Sequence, residues 1–282
     1  MADRTDAEQI ARRIVPGQMA AAIAVVAVAL LWAWVRGPFA QDLAYHDFAD
    51  QRPLLGIPHC LNVLSNAPFL LVGAAGLAVL LDPRSCRPGG PFRTPVECRP
   101  FVAFFLGVGL TAVGSAYYHL DPTNARLVWD RLPMAVAFMA LLAAVLDDRL
   151  GPPTGTQLLP FLVLAGLASV WYWDWTERHG AGDLRPYYLT QYGTMLALAV
   201  LLLVFPPRYS GPGWLFVALA WYLVAKVCEY PFDAAIYSHA GCVSGHTLKH
   251  LTAAAATACV LQWMRLRTPI APRPPAEERS IR

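Results

Sequence analysis

The chain has 282 residues, 56% hydrophobic and only 15% charged, with a formal net charge of +3. Soluble domains of this size usually carry about 25% charged residues. The composition therefore excludes an ordinary soluble enzyme and a disordered chain, and so weak a net charge gives no reason to expect a nucleic-acid partner. Six cysteines include no Cys-x-x-Cys pair, so neither a zinc ribbon nor a thioredoxin-like site is indicated. Arginine, alanine and proline are common, while lysine occurs only as Lys226 and Lys249. That bias hints at a GC-rich bacterial genome.

A bilayer core needs roughly 20 apolar residues per helix. In chain order, apolar stretches predict spans over Ile14–Val35, Pro58–Leu81, Pro100–Tyr118, Asp130–Leu146, Leu150–Trp173, Pro186–Pro207, Trp214–Tyr230 and His246–Met264. The expectation is an all-α polytopic membrane protein of eight spans. Residues 1–13 form a cytoplasmic N-terminus, 14–36 a first helix, 45–265 the core, and the Pro-rich, charged residues 268–282 a disordered tail. Arg12 and Arg13 ahead of an apolar run also allow a cleaved signal peptide, although 22 apolar residues exceed the usual length of one.

Arginine placement predicts the orientation. With the N-terminus inside, fourteen arginines fall in cytoplasmic segments and six in outer loops. Both termini are then cytoplasmic in a bacterial inner membrane, and Trp171, Trp173 and Trp175 lie in the outer aromatic belt.

Polar residues then collect at the outer face from three distant segments: "GSAYYHLDP", "VWDRLPM" and "SGHTLKHLTAAAA". His246 and His250 are four apart and share a helix face. With His119 they can supply three imidazoles to one zinc ion, leaving a fourth position for water. Such a site lowers the pKa of its water and polarises a carbonyl. Asp130 is then placed as general base and later acid, and Ser115 as a hydrogen-bond donor to developing charge. Blander readings exist for each: Asp130 as a helix cap, Ser115 as a packing residue, and each histidine as a hydrogen-bonded packing group. Ionisable side chains at membrane depth are costly, which favours function.

"GSAYYHLDPTNARLVWDRLPM" together with "HTLKHLT" resembles the CREST superfamily of membrane hydrolases, which includes the alkaline ceramidases and the progestin and adipoQ receptor family. Ser115, His119, Asp130 with Leu132, Pro133 and Met134, and His246 with His250 match the ceramidase pattern position by position. "NVLSNAPF" (62–69) resembles the opening of that family's first core helix. The resemblance covers about residues 45–265. It implies a seven-helix core preceded here by one extra helix, zinc held by His119, His246 and His250, and hydrolysis of the amide bond of ceramide-like N-acyl lipids. It equally allows a non-catalytic, receptor-like member with a structural zinc. His59 stands where an acidic calcium ligand is expected, which weakens the case for calcium, although Asp47 and Asp50 remain. Thr247, Leu248 and Lys249 replace the aromatic residues common between the two late histidines, which leaves the lipid specificity open.

Lys226 and Glu229 are three apart and can pair on a helix. Lys249 is expected either to pair with Glu229 or Asp233, because an unpaired charge there is costly, or to snorkel to the interface. His46, His179 and His239 are expected in solvated outer loops, with His239 a spare ligand, and Asp174 solvated at the interface. Cys86 and Cys98, on the cytoplasmic side, are expected as free thiols.

Overall fold

The computed structural model describes residues 16–82, 85–86 and 90–270. The expected N-terminal segment 1–13 lies outside these residues. Among the described residues there is no strand, only the isolated bridges Leu54–Ile57 and Tyr209–Pro269.

Among the described residues eleven α-helices follow one another: α1 (Pro16–Arg36), α2 (Cys60–Leu64), α3 (Ala67–Leu81), α4 (Cys98–Leu120), α5 (Asn124–Leu150), α6 (Thr154–Arg178), α7 (Arg185–Tyr188), α8 (Thr194–Val204), α9 (Gly213–Glu229), α10 (Asp233–Ala240) and α11 (Gly245–Leu266). Six segments are long and apolar enough to cross a bilayer, with α2–α3 and α7–α8 each counting as one, and a seventh if α9 and α10, bent by 78°, form one span. The chain is thus a multi-pass membrane protein. α11 has 22 residues, enough to cross, but His246, Lys249 and His250 dilute its apolar character and it does not join the six.

α3, α4, α5, α8, α9 and α11 form a ring through successive contacts, with α6 packed outside on α5 and α1 outside on α8. None of the apolar window of α1 is buried. It is tied on by the Gln18 amide donating to the Val204 carbonyl (2.8 Å) and Arg185 donating to the Ala33 carbonyl (3.1 Å). An apolar helix with its sides bare suits a surface that faces lipid.

Local chemistry fixes the two helix starts nearest the site. The Thr123 hydroxyl accepts from Arg126 N at the start of α5, and the Ser244 hydroxyl accepts from Thr247 N at the start of α11 (3.1 Å). Each satisfies a backbone donor that a helix N-terminus leaves free. α4 and α5 are joined by a turn of only 121–123, so they pack as an antiparallel pair along their whole length. They approach closely at Gly114, where any Cβ would overlap the Trp129 carbonyl oxygen. That contact sets Ser115 beside Asp130.

The far end of the bundle is a second buried polar cluster. Asp148 pairs with Arg149 (3.0 Å), and Arg267, 2% exposed, lies over Tyr209 (4.1 Å), Phe92 (4.5 Å) and Phe101 (4.6 Å). Its surroundings push this guanidinium down to about 10 by desolvation. Thr268 N donates to the Ser210 hydroxyl and Ile270 N to the Arg208 carbonyl, so the expected disordered tail is ordered over 268–270, held by backbone bonding to the loop before α9. Cys86 and Cys98 form a disulfide at this end, correcting the expectation of free thiols. The loop between α3 and α4 folds back and brings the two Cα atoms to 6.2 Å. Cys60, Cys228, Cys242 and Cys259 are free.

Gly114→Ala should cost about 1–3 kcal/mol of stability, as overpacking does, by forcing α4 and α5 apart. Thermal unfolding in detergent measures it, and an unchanged midpoint would show that the two backbones do not meet there.

Candidate metal centre

His119 ends α4, and His246 and His250 occupy the first two turns of α11. The three buried rings form a near-equilateral triangle, each centroid 4.9 Å from the other two. One nitrogen from each lies within 4.8 Å of the others. Both ring nitrogens of His119 and Nε2 of His250 lack a hydrogen-bond partner among the described residues. Buried unpartnered nitrogens are costly, and lone pairs converging from three imidazoles are the donor set that a borderline metal prefers. The cluster can hold a metal ion, and the residues fit zinc.

The rings are oriented by neighbours, the usual partners of ligating histidines. The Ser65 hydroxyl bonds His250 Nδ1 (2.7 Å), which leaves Nε2 to point inward. Asn62, from the same "NVLSN" segment, accepts from the Thr247 hydroxyl (2.8 Å). His59 Nδ1 bonds the His119 carbonyl (3.0 Å). Phe48 packs on His246 (4.4 Å) and His119 (4.7 Å). Asp233 accepts from the backbone N–H of His246 (2.7 Å) and of Ala49 (3.0 Å).

Arg52 clasps two loops beneath this triangle. It pairs with Asp50 through Nε and Nη2, both 2.8 Å, and donates to the Cys242 carbonyl (2.8 Å) just before α11. The Arg52 hydrogen bond holds the Asp50 carboxyl below its ordinary value.

Ser115 and Asp130 are both buried and lie side by side. Both line the same cavity as His250, Lys226 and Lys249. That cavity, about 1030 Å³ including its opening, is otherwise lined mostly by apolar side chains such as Phe104, Val108, Leu198 and Leu215. Asp130 is therefore inside the cavity, not at a helix end as a cap. Of the two partners expected for Lys249, Glu229 is the one bonded (2.7 Å), and Glu229 also takes Lys226 (2.5 Å) and the Tyr45 hydroxyl (3.1 Å). Asp233 is engaged by backbone instead.

Several outlying expectations are corrected. His46 is half-buried and bonded through both nitrogens, to the Tyr118 hydroxyl (2.8 Å) and Asn124 Oδ1 (2.9 Å). Asp174 is buried and paired with Arg178 (3.0 Å), one helical turn on. Trp171 and Trp175 are exposed, as a belt requires, but Trp173 is buried under the Arg131 guanidinium (4.1 Å), since alternate residues of a helix cannot share one face. His239 is exposed on α10, outside the triangle. Sequence reading missed Phe48 altogether and gave neither Ser65 nor Asn62 a role; "NVLSN" was their only signal.

No family model, no curated protein and no solved structure matches this chain.

Ser65→Ala should weaken zinc binding about 10–100-fold, the usual cost of removing such a partner, measured by competition with a chromogenic chelator. Asp50 has a depressed carboxyl, so its stabilisation is complete above about pH 4, the ordinary carboxylate range, and is lost as pH falls through its lower folded value. Asp50→Asn should therefore melt below the wild type at pH 7, with the gap closing in acid. A gap constant with pH would remove Asp50 as its source.

Proposed function

We propose that this protein is an integral-membrane hydrolase that cleaves the amide bond of ceramide-like N-acyl lipids at a zinc centre held by His119, His246 and His250. The observation that carries the reading is the cavity: the acid and hydroxyl of Asp130 and Ser115, the His250 corner of the histidine triangle and a long apolar wall line one space. A ligand site of this kind is concave and largely apolar, with a few converging polar groups. Zinc bound there would supply a Lewis acid for the scissile carbonyl and would favour ionisation of water near neutral pH.

The chain's own residues account for the remaining requirements. The apolar wall from α4, α5, α8 and α9 receives the acyl chain and excludes water. Asp130 accepts a proton from the attacking water at a carboxylate oxygen. It returns that proton to the amide nitrogen as the carbon–nitrogen bond breaks, so the products are a fatty acid and a free amine. Ser115, beside Asp130 in the cavity wall, donates a hydrogen bond to charge developing at the carbonyl.

In this reading the bent α9–α10 pair and α11 span as well as the six, giving eight: a seven-helix core and α1 as an N-terminal addition. Calcium is not part of it, because Asp50 is committed to Arg52 and His59 to the His119 carbonyl. The arginine asymmetry puts the histidine end at the extracytoplasmic face of a bacterial inner membrane. The Cys86–Cys98 disulfide at the opposite end argues against that orientation, since a reducing cytoplasm keeps thiols free. Reporter fusions at both termini decide between them.

Asp130→Asn should retain zinc, measured by elemental analysis of the detergent-purified protein, while losing about 10²–10⁴-fold in turnover of an N-acyl lipid. Zinc bound with no turnover of any N-acyl lipid by the wild type would favour the receptor-like alternative.

A further inference from the structure

The only two lysines in the chain, Lys226 and Lys249, stand at one place. Twenty other cationic side chains are arginines, yet both lysines line the cavity beside Asp130 and His250. They come from different helices, α9 and α11, and share the single carboxylate of Glu229. Glu229 does not line the cavity: it holds the two ammonium groups from behind. Their side chains are 21% and 13% exposed.

One lysine would neutralise one glutamate. A second ammonium, drawn into the same low-dielectric wall, carries a desolvation cost that Glu229 alone offsets poorly. Each ammonium has three donors. Lys226 gives one to Glu229. Lys249 gives one to Glu229 and approaches His246 Nε2 (3.3 Å). Lys226 Nζ also lies 5.5 Å from the Tyr192 ring centroid, and both lysines line the cavity, whose lining includes Asp130 as its one carboxylate. A compact ammonium suits a single oxyanion that varies in position, where arginine's rigid fork suits a fixed planar partner.

We propose that Lys226 and Lys249 form a subsite for an acidic group, a carboxylate or a phosphate, on the polar side of the scissile bond, so that the substrate is an anionic N-acyl lipid and not a neutral one. This rests on the hydrolase reading above and, because ceramide itself is neutral, moves its substrate from ceramide to an acidic N-acyl lipid. The acyl chain lies along the apolar wall, and the acid lies against the two ammonium groups.

The test uses the full-length, zinc-loaded protein in detergent and three twelve-carbon probes. N-dodecanoylglycine is acidic, N-dodecanoylethanolamine is its neutral counterpart, and dodecyl phosphate is a non-amide anion for equilibrium binding. Wild type should hydrolyse the acidic amide with kcat/KM at least about tenfold above the neutral one, and added salt should shrink that ratio. Lys226→Met, which leaves Glu229 paired with Lys249, should bring the ratio to about one through a raised KM for the acid, and Lys226→Arg should restore part of it. Dodecyl phosphate should bind wild type at least tenfold more tightly than Lys226→Met. A preference for phosphate binding without turnover of the glycine conjugate would assign the subsite to phosphate over carboxylate.

Equal rates on both amides, insensitive to salt, overturn the subsite and leave the hydrolase standing; this outcome needs no variant to fold. Tight dodecyl phosphate binding that Lys226→Met abolishes, with no turnover of either amide, keeps the subsite and sinks the hydrolase. Neither binding nor turnover removes both.

Discussion

Three imidazoles in a triangle 4.9 Å on a side are the constraint around which the rest of this molecule is arranged. Their nitrogens point at one another inside a membrane protein, where a polar group without a partner is expensive. Neutral rings can share a cation; they cannot satisfy each other. Everything close to them acts on their orientation: Ser65 sets His250, His59 holds the backbone of His119, and Asp233 holds that of His246. Phe48 fills the space against two of the rings.

The two ends of the bundle divide the work. The end with Arg149, Asp148 and Arg267 is closed by an ion pair and by rings packed around a guanidinium, and it carries the disulfide. The histidine end opens into the apolar cavity. Buried charge is therefore present at both ends for different reasons: at one it ties loops to helix ends, at the other it faces space that a ligand can fill.

Much of the site was legible because helical periodicity is short-ranged. The four-residue intervals of Ser115 with His119 and of His246 with His250 follow from 3.6 residues per turn, and the span pattern brings both pairs to one end. What surrounds the ligands was not legible. Ser65 meets His250 across 185 residues, and Phe48 reaches His246 from an irregular loop with no period to read. Arginine counting treated Arg149 and Arg267 as free surface charge, whereas both are buried clamps. Trp173 joined the belt by composition and left it by helix geometry. The last helix passed as apolar on its C-terminal half alone.

The three-residue turn between α4 and α5, with their contact at Gly114, has a mechanical corollary. His119, Ser115 and Asp130 travel as one stiff body. The opposite wall is built differently: there α9 breaks into α10 at 78° before the chain returns as α11. His246, His250 and both lysines ride on or beside that broken wall, so the centre is a seam that joins a stiff half of the bundle to a bent one.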